Sequence, residues 1–265
     1  MGLYNNRIVV KVGTSTLTND AGKSDLRTTD RLACVLSDIQ NMGYEVVLVS
    51  SGAIAVGRNK LNMTAKPDSM RVKQAAAAVG QCSLMYLYDK FFGDYDKTVA
   101  QILLNADDIE EEEKKENLIN TFNALLEMGV IPIVNENDSV SYKEIESEDR
   151  LFGDNDMLSA VVAVLCRAKH LVIFSDIDGF YDHDPRLYPN AQLIDQIDTI
   201  DDSVYALAGG AGSRRGTGGM RTKLQAASLA TSQGTNTIVT NGKRPEVLYD
   251  IIKGGRAGTL FPGKI

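Results

Sequence analysis

The sequence predicts an α/β fold: a mostly parallel, open central sheet with helices on both faces, a three-layer αβα sandwich. Three observations predict it. Short β-branched runs alternate with longer stretches of helical period along the whole chain. The runs are nearly uniformly apolar, as strands covered on both faces must be. Polar segments, several carrying glycine, follow those runs at their C-terminal ends, where open parallel sheets bind ligands.

Taken in order, the candidate strands are residues 8–12, 45–49, 98–103, 130–134, 171–174, 237–239 and a short last one at 259–261. The first helix has Leu32, Val35, Leu36 and Ile39 at i, i+3, i+4 and i+7, with Thr29 as the expected cap and Gly43 as the stop. Further helices are expected near 70–91, 112–128, 156–167, 219–232 and 245–253. The acidic run Glu110 to Glu116 reads as a solvated helix start, with glutamates at the positive dipole end and lysines four residues on. Ala75 to Ala78 reads as a close-packed helix face.

Bulk numbers bound the function. The 265 residues suffice for one large α/β domain or two small ones, with 43% hydrophobic and 24% charged residues, an ordinary globular balance. A net charge of -7 speaks against a nucleic-acid surface, which needs clustered Lys and Arg. No run approaches the roughly 20 apolar residues of a membrane span, and no signal peptide is evident, so a cytoplasmic enzyme is expected. Cys34, Cys82 and Cys166 lie in helix-like or apolar stretches without CxxC spacing and are expected to be reduced, core-filling thiols. Two histidines, His170 and His183, offer little for a His-based metal site.

Chemistry concentrates after the strands. The first is followed by Lys11-Val12-Gly13-Thr14-Ser15 and the second by Ser50-Ser51-Gly52-Ala53. Asn135-Glu136-Asn137-Asp138 follows the fourth, and Ser175-Asp176-Ile177-Asp178-Gly179 closes the fifth. Glycines there let backbone N–H groups approach an anion at a helix start. Lys11 ends an otherwise apolar run; a snorkelling structural lysine and an anion-binding one both fit that position. The glycine-rich stretch from Gly209 to Gly219 enters a helix and delivers Lys223 in its first turns, an arrangement suited to phosphate, though a flexible linker has the same composition. Asp154, Asn155 and Asp156 open another helix. One of them serves as a cap, and together with Asn135, Asn137 and Asp138 they supply acceptors for a substrate ammonium group. Ser51 and nearby loop amides are placed to hold its carboxylates. Neither GxxxxGK[ST] nor GxGxxG occurs, which argues against P-loop NTPases and simple dinucleotide enzymes.

Seven stretches, in order over the entire chain, resemble the amino acid kinases: VVKVGTSTLT (9–18), VSSGAIAVG (49–57), KQAAAAVGQ (73–81), NENDSV (135–140), FGDNDMLSA (152–160), DGFYDHDPR (178–186) and GTGGMRTKLQAA (216–227). Within that family they look most like the branch that phosphorylates the side-chain carboxylate of glutamate at the start of proline synthesis. Sister kinases look like KxGG, KFGGTS or KxSGE after the first strand, where this chain has Lys11-Val12-Gly13-Thr14-Ser15.

The resemblance implies one kinase domain over 1–265, with an amino-acid-binding lobe to about 168 and an ATP-binding lobe from about 169. It implies catalytic roles for Lys11, Asp156 and Lys223, with the lysines on the phosphoryl groups and Asp156 holding both. Glutamate would be bound by Ser51, Asp138 and Asn155, with Asp154 and Asn135 beside them. ATP would be bound by Lys11, Ser175, Asp176, Thr217, Gly218, Gly219, Met220, Arg221, Thr222 and Lys223, with Mg2+ on its phosphates. Proline as feedback inhibitor, a reductase receiving the acyl phosphate and a homo-oligomer, dimer or tetramer, are implied partners. A carboxylate acceptor is ionised at pH 7, so such a reaction needs no general base and the lack of a well-placed histidine fits it. Two departures stand out. The stretch between Asp138 and Asn155, around 144–152, is longer than the family pattern, and the C-terminal RNA-binding-type (PUA) domain of many members has no counterpart before Ile265. Rival readings are another acceptor within the same family and a non-catalytic sensor, the latter disfavoured by the presence of Lys11, Asp156 and Lys223.

Overall fold

The computed structural model describes residues 4–19, 23–65, 67–140, 154–208 and 219–264. Along the chain run β1 (Tyr4–Lys11), α1 (Thr14–Leu17), α2 (Leu26–Asn41), β2 (Glu45–Val49), α3 (Ala53–Lys60), α4 (Met70–Gly93), β3 (Val99–Leu104), α5 (Asp107–Glu110) and α6 (Glu112–Glu127). There follow β4 (Ile131–Glu136), α7 (Asn155–Leu165), β5 (Ala168–Ser175), α8 (Asp202–Leu207), α9 (Met220–Ser232), β6 (Asn236–Asn241), α10 (Val247–Ile252) and β7 (Thr259–Phe261). The strands form one sheet in the order β3-β4-β2-β1-β5-β6-β7, parallel except for the β6–β7 pair.

Strand β1 shows why helices cover both faces. Ile8 and Val10 join a core with Leu32 and Leu36 of α2, Leu84 and Tyr88 of α4, and Leu248 of α10. Val9 joins the opposite core, with Phe122 of α6, Leu158 of α7 and Leu224 of α9. All three strand residues are fully buried, so both faces demand apolar side chains and the alternation expected of a half-exposed strand disappears. Lys11 has the parity of Val9. It therefore points toward the layer of α7 and α9, and that parity builds the site.

At the opposite end of the sheet Arg7, 2% exposed, is fully engaged. It pairs with Glu45 at 2.7 Å, donates to the Cys166 carbonyl and to Asn123, and lies over the Tyr4 ring. Its role is structural.

Several expectations need correction. The cap of α2 is Asp25, whose carboxylate accepts from Thr28 N at 3.0 Å; Thr29 lies within the helix and donates its hydroxyl back to the Asp25 carbonyl. The helix starts ahead of its apolar stripe because the first turn, with Leu26 half exposed, contributes little to the core. Strand β4 continues through Asn135 and Glu136, so those residues sit in the sheet and not in the loop after it. Cys166 is buried and Cys34 half-buried, but Cys82 is exposed on α4 and fills no core; all three are free. At the start of α6 the lysines pair three residues apart, Lys114 with Glu111 and Lys115 with Glu112.

Helix α3 was not anticipated. It begins at Gly52, in the left-handed conformation at φ +94°, and packs on α4 at backbone contact. A Cβ on Gly57 would stand 1.8 Å from the Ala76 carbonyl oxygen, and one on Gly80 would stand 1.7 Å from that of Ala53. Two glycines thus set the α3–α4 separation.

Candidate active site

The carboxyl ends of β1, β2, β4 and β5 meet the N-termini of α3, α7 and α9 at one edge of the sheet. Helix α7 is capped by Asp154, whose Oδ1 accepts from Asp156 N at 3.1 Å. The cap turns the next two side chains into the site. The Asp156 carboxylate is wholly buried and bridges two ammonium groups: Lys11 Nζ lies 2.6 Å from Oδ1 and Lys223 Nζ lies 2.9 Å from Oδ2. Lys11 and Lys223 are 5% and 7% exposed. The Lys11–Asp156–Lys223 bridge by itself carries two positive charges on one negative, with the Asp154 carboxylate close by at the ligand edge of the sheet.

The electrostatics agree. Burial works against the Asp156 charge, yet the two lysines and their hydrogen bonds outweigh it and hold the carboxyl at about 2. Burial likewise opposes the Lys11 charge, and Asp156, then Asp154, more than offset it, so Lys11 is raised above its usual value. Asp156 and Lys11 are therefore both charged at neutral pH. Thr222, one residue before Lys223, places its hydroxyl within 3.1 Å of both Asp154 Oδ2 and Asp156 Oδ2 and 2.9 Å from the Gly219 carbonyl. One hydroxyl proton serves one of these acceptors at a time. Gly219 caps α9 without a side chain, so among the described residues no cap side chain covers the first backbone N–H groups of α9, the kind of helix start that accommodates an anion.

A second group adjoins the first because Asn155 precedes Asp156. The Asn155 amide donates both hydrogens, to the Ser50 carbonyl and to Asn135 Oδ1 at 2.9 Å. Asn135, 2% exposed, also accepts from Glu136 N at 2.9 Å and donates to Gln81 Oε1 at 2.9 Å. Ser50 Oγ is 2.8 Å from the Tyr88 hydroxyl, and burial pushes the Tyr88 phenol well above its usual range. Ser51 lies between Ser50 and the left-handed Gly52 at the start of α3.

Beside this group is a cleft of about 440 Å³. Ala53, Gln81, Met85, Leu103, Glu136 and Asp138 are among its lining residues. Burial, and then the neighbouring Glu136, raise the Asp138 carboxyl to about 6. The cleft is acidic, and the ionised Asp138 gains by meeting a cation.

The expected site residues therefore fall into three groups. Lys11, Asp154, Asp156, Thr222 and Lys223 form the charged cluster, with Gly219, Met220 and Arg221 at the α9 start; Arg221 lies over the Tyr205 ring. Asn135 and Asn155 form the amide group, with Ser51 and Asp138 on its flanks. Ser175 and Asp176, at the end of β5, bond to each other, and Asp176 pairs with Arg186 at 3.2 Å. Thr217, Gly218 and the stretch 144–152 lie outside the described residues. Sequence reasoning gave no role to Ser50, Gln81, Tyr88 or Arg186. For Gln81 and Tyr88 a signal existed: the two are seven apart on one helix, hence on one face, and both are polar-tipped.

A protein of Clostridium perfringens named glutamate 5-kinase is 55% identical over 258 residues, covering 97% of this chain and 96% of its own. One of Listeria monocytogenes (serovar 1/2a) with the same name is 50% identical, covering 97% and 93%. In fold, the chain is similar to the isopentenyl phosphate kinase of T. acidophilum, with a TM-score of 0.65 at 18% identity over 96% of this chain and 99% of that one. It is similar also to the carbamate kinase of Giardia lamblia, with a TM-score of 0.66 at 16% identity over 99% of each chain. Residues 6–241 match the amino acid kinase family, and the chain belongs to that family.

Proposed function

We propose that the protein transfers the γ-phosphoryl group of ATP to the side-chain carboxylate of L-glutamate, giving L-glutamyl 5-phosphate, the first step of proline biosynthesis. The observation that carries this reading is the buried Lys11–Asp156–Lys223 bridge at the ligand edge of the sheet. It is a preorganised cationic receptor for charge on a transferring phosphoryl group, fixed before substrate arrives. The names of the glutamate 5-kinase relatives supply the acceptor.

In the reaction an oxygen of the glutamate side-chain carboxylate attacks the γ-phosphorus. The new O–P bond forms as the bond to the β–γ bridging oxygen breaks, and ADP leaves with that electron pair. No proton moves, so no base is required. Lys11 and Lys223 neutralise the γ- and β-phosphate oxygens, and Asp156 keeps the two ammoniums at fixed positions despite their repulsion. Asp138 pairs with the substrate ammonium, and the Oδ1 of Asn155 accepts from it. Ser51 and the first N–H groups of α3 take the α-carboxylate. The α9 start, with Ser175 and Asp176, holds the nucleotide. On this reading, residues to about 168 serve the amino acid and those from about 169 serve ATP. Mg2+ bound to the nucleotide would supply further neutralisation of its phosphates; Asp156 itself is committed to the two lysines.

Free proline has the same α-carboxylate and a secondary ammonium but no attacking carboxylate, so it competes for the same anchors as a dead-end inhibitor. A cytoplasmic enzyme that passes its acyl phosphate to a reductase and works as a homo-oligomer is consistent with the role. No helix among the described residues is long and apolar enough to cross a membrane.

A panel of acceptors with coupled ADP detection tests the assignment. Glutamate is expected to give the highest kcat/KM. Preference for aspartate, N-acetylglutamate, carbamate or an alkyl phosphate would reassign the acceptor within the family.

A further inference from the structure

Helix α4 carries none of the residues assigned above to substrate or phosphate, yet it reaches the site twice. Gln81 and Tyr88 are two turns apart on one face. Tyr88 holds the side chain of Ser50 at 2.8 Å, and Gln81 accepts the outer amide hydrogen of Asn135 at 2.9 Å. Backbone groups fix the polarity of the whole chain of bonds. The Ser50 carbonyl can only accept, so Asn155 must turn its NH2 inward; the Glu136 N–H can only donate, so Asn135 must turn its Oδ1 that way. With both amide hydrogens committed, Asn155 keeps its Oδ1 as the acceptor of that side chain. The remaining Asn135 NH2 is buried, and Gln81 Oε1 is the partner that satisfies it.

We propose that Gln81 is a positioning residue for the amino-acid substrate: it holds Asn135, and through Asn135 the Asn155 amide, in the orientation that offers an acceptor to the substrate ammonium. The proposal rests on the reading of Asn155 as a glutamate-binding residue. The α3–α4 contact makes the hold firm. Gly57 and Gly80 keep α4 at backbone distance from α3, so Gln81, one residue beyond Gly80, cannot drift relative to the Ser51–Gly52 turn. Without Gln81, a nearly inaccessible amide loses its partner, and Asn135 gains by rotating toward other acceptors. Rotation would cost Asn155 its own bond and turn a donor toward the substrate ammonium.

The test is steady-state kinetics of Gln81→Met, close in shape but without an acceptor, beside Asn155→Ala and the double variant. Gln81→Met is expected to raise KM for glutamate about tenfold, the scale of one unsatisfied buried donor, with KM for ATP unchanged within twofold. In the Asn155→Ala background the same change is expected to add less than twofold, because its route to the substrate is already cut. Full additivity, or equal effects on glutamate and ATP, would overturn the relay. So would an unchanged glutamate KM in Gln81→Met while Asn155→Ala raises it. An unchanged KM in Asn155→Ala itself would overturn both the relay and the reading beneath it. A thermal melt of each variant reports whether the fold is intact. If Gln81→Met is not folded, Gln81→Leu takes its place in the cycle.

Discussion

Replacing Asp156 by Asn keeps the side chain's shape and removes the charge that holds Lys11 and Lys223 together. The size of the effect follows from the burial of all three groups. A carboxyl held at about 2 against an ordinary 3.8 is worth roughly 2–3 kcal/mol of folding stability at neutral pH. Deleting one partner of a buried ion pair costs about 3–5 kcal/mol in other proteins, so a loss of about 3 kcal/mol is expected. For a chain of this size that corresponds to a Tm lower by roughly 6–12 °C.

The same reasoning gives a sharper expectation. In the variant, the two ammoniums lose their shared carboxylate and keep only Asp154 nearby, so the polyphosphate of ATP gains as their counter-charge. Saturating ATP should therefore raise the Tm of Asp156→Asn by more than it raises that of the parent, while kcat falls about 10²-fold for loss of fixed lysine geometry. Scanning fluorimetry with and without MgATP measures both shifts. The pH dependence follows from the sign of each shift. Asp156 is depressed, so its contribution is present above pH 3.8 and fades as pH falls toward about 2. Lys11 is raised, so its contribution fades only as pH rises beyond 10.5. The Tm difference between parent and variant should hold from pH 5 to 9 and shrink at pH 3. A variant as stable as the parent at pH 7, or one that ATP stabilises no more than the parent, would refute the reasoning.

Three further outcomes are expected. Lys11→Ala and Lys223→Ala should each lower kcat by roughly 10²-fold, and a change confined to KM would remove the lysines from the transition state. Asp138 titrates at about 6 and must be ionised to pair with an ammonium, so KM for glutamate should rise about tenfold from pH 7 to pH 5, with KM for ATP steady. Asp138→Asn should have a high KM without that pH dependence, whereas a parent KM that is flat over the range would place the charge elsewhere. Gly80→Ala forces a methyl to within 1.7 Å of the Ala53 carbonyl oxygen, so α3 and α4 must part; a loss of about 1–3 kcal/mol by denaturant melt, with a raised glutamate KM, is expected.

The sheet was legible because strands buried on both faces leave unbroken apolar runs, and the residues after Val10, Val49 and Val134 stood out against them. Lys11, Asp156 and Lys223 were each marked by a polar side chain at the end of a strand or the start of a helix, and the structure brings all three within ion-pair distance. Helix α3 was not legible. Its contact with α4 is made by glycines, which leave no apolar period to count. The Asp25 cap was missed because the stripe that marks α2 begins at Leu32, while the first turn is solvated. The role of Gln81 was illegible for a different reason: its partner Asn135 is 54 residues away and meets it only in the folded chain.

Strand β1 is apolar on both sides, so hydrophobicity alone scarcely distinguishes its register from one shifted by a residue. Ile8, Val9 and Val10 would simply exchange layers. Lys11 would not exchange so cheaply: a shift would drive its ammonium into the layer of α2, α4 and α10 and strand Asp156 and Lys223 on the other side. Together with the buried Arg7–Glu45 pair at the other end of the strand, the Lys11–Asp156 pair thus gives β1 a polar preference for its observed register that its apolar residues do not supply. The same contact that sets the strand's register therefore brings Lys11 to within 2.6 Å of Asp156, so register and site geometry are fixed by one pair.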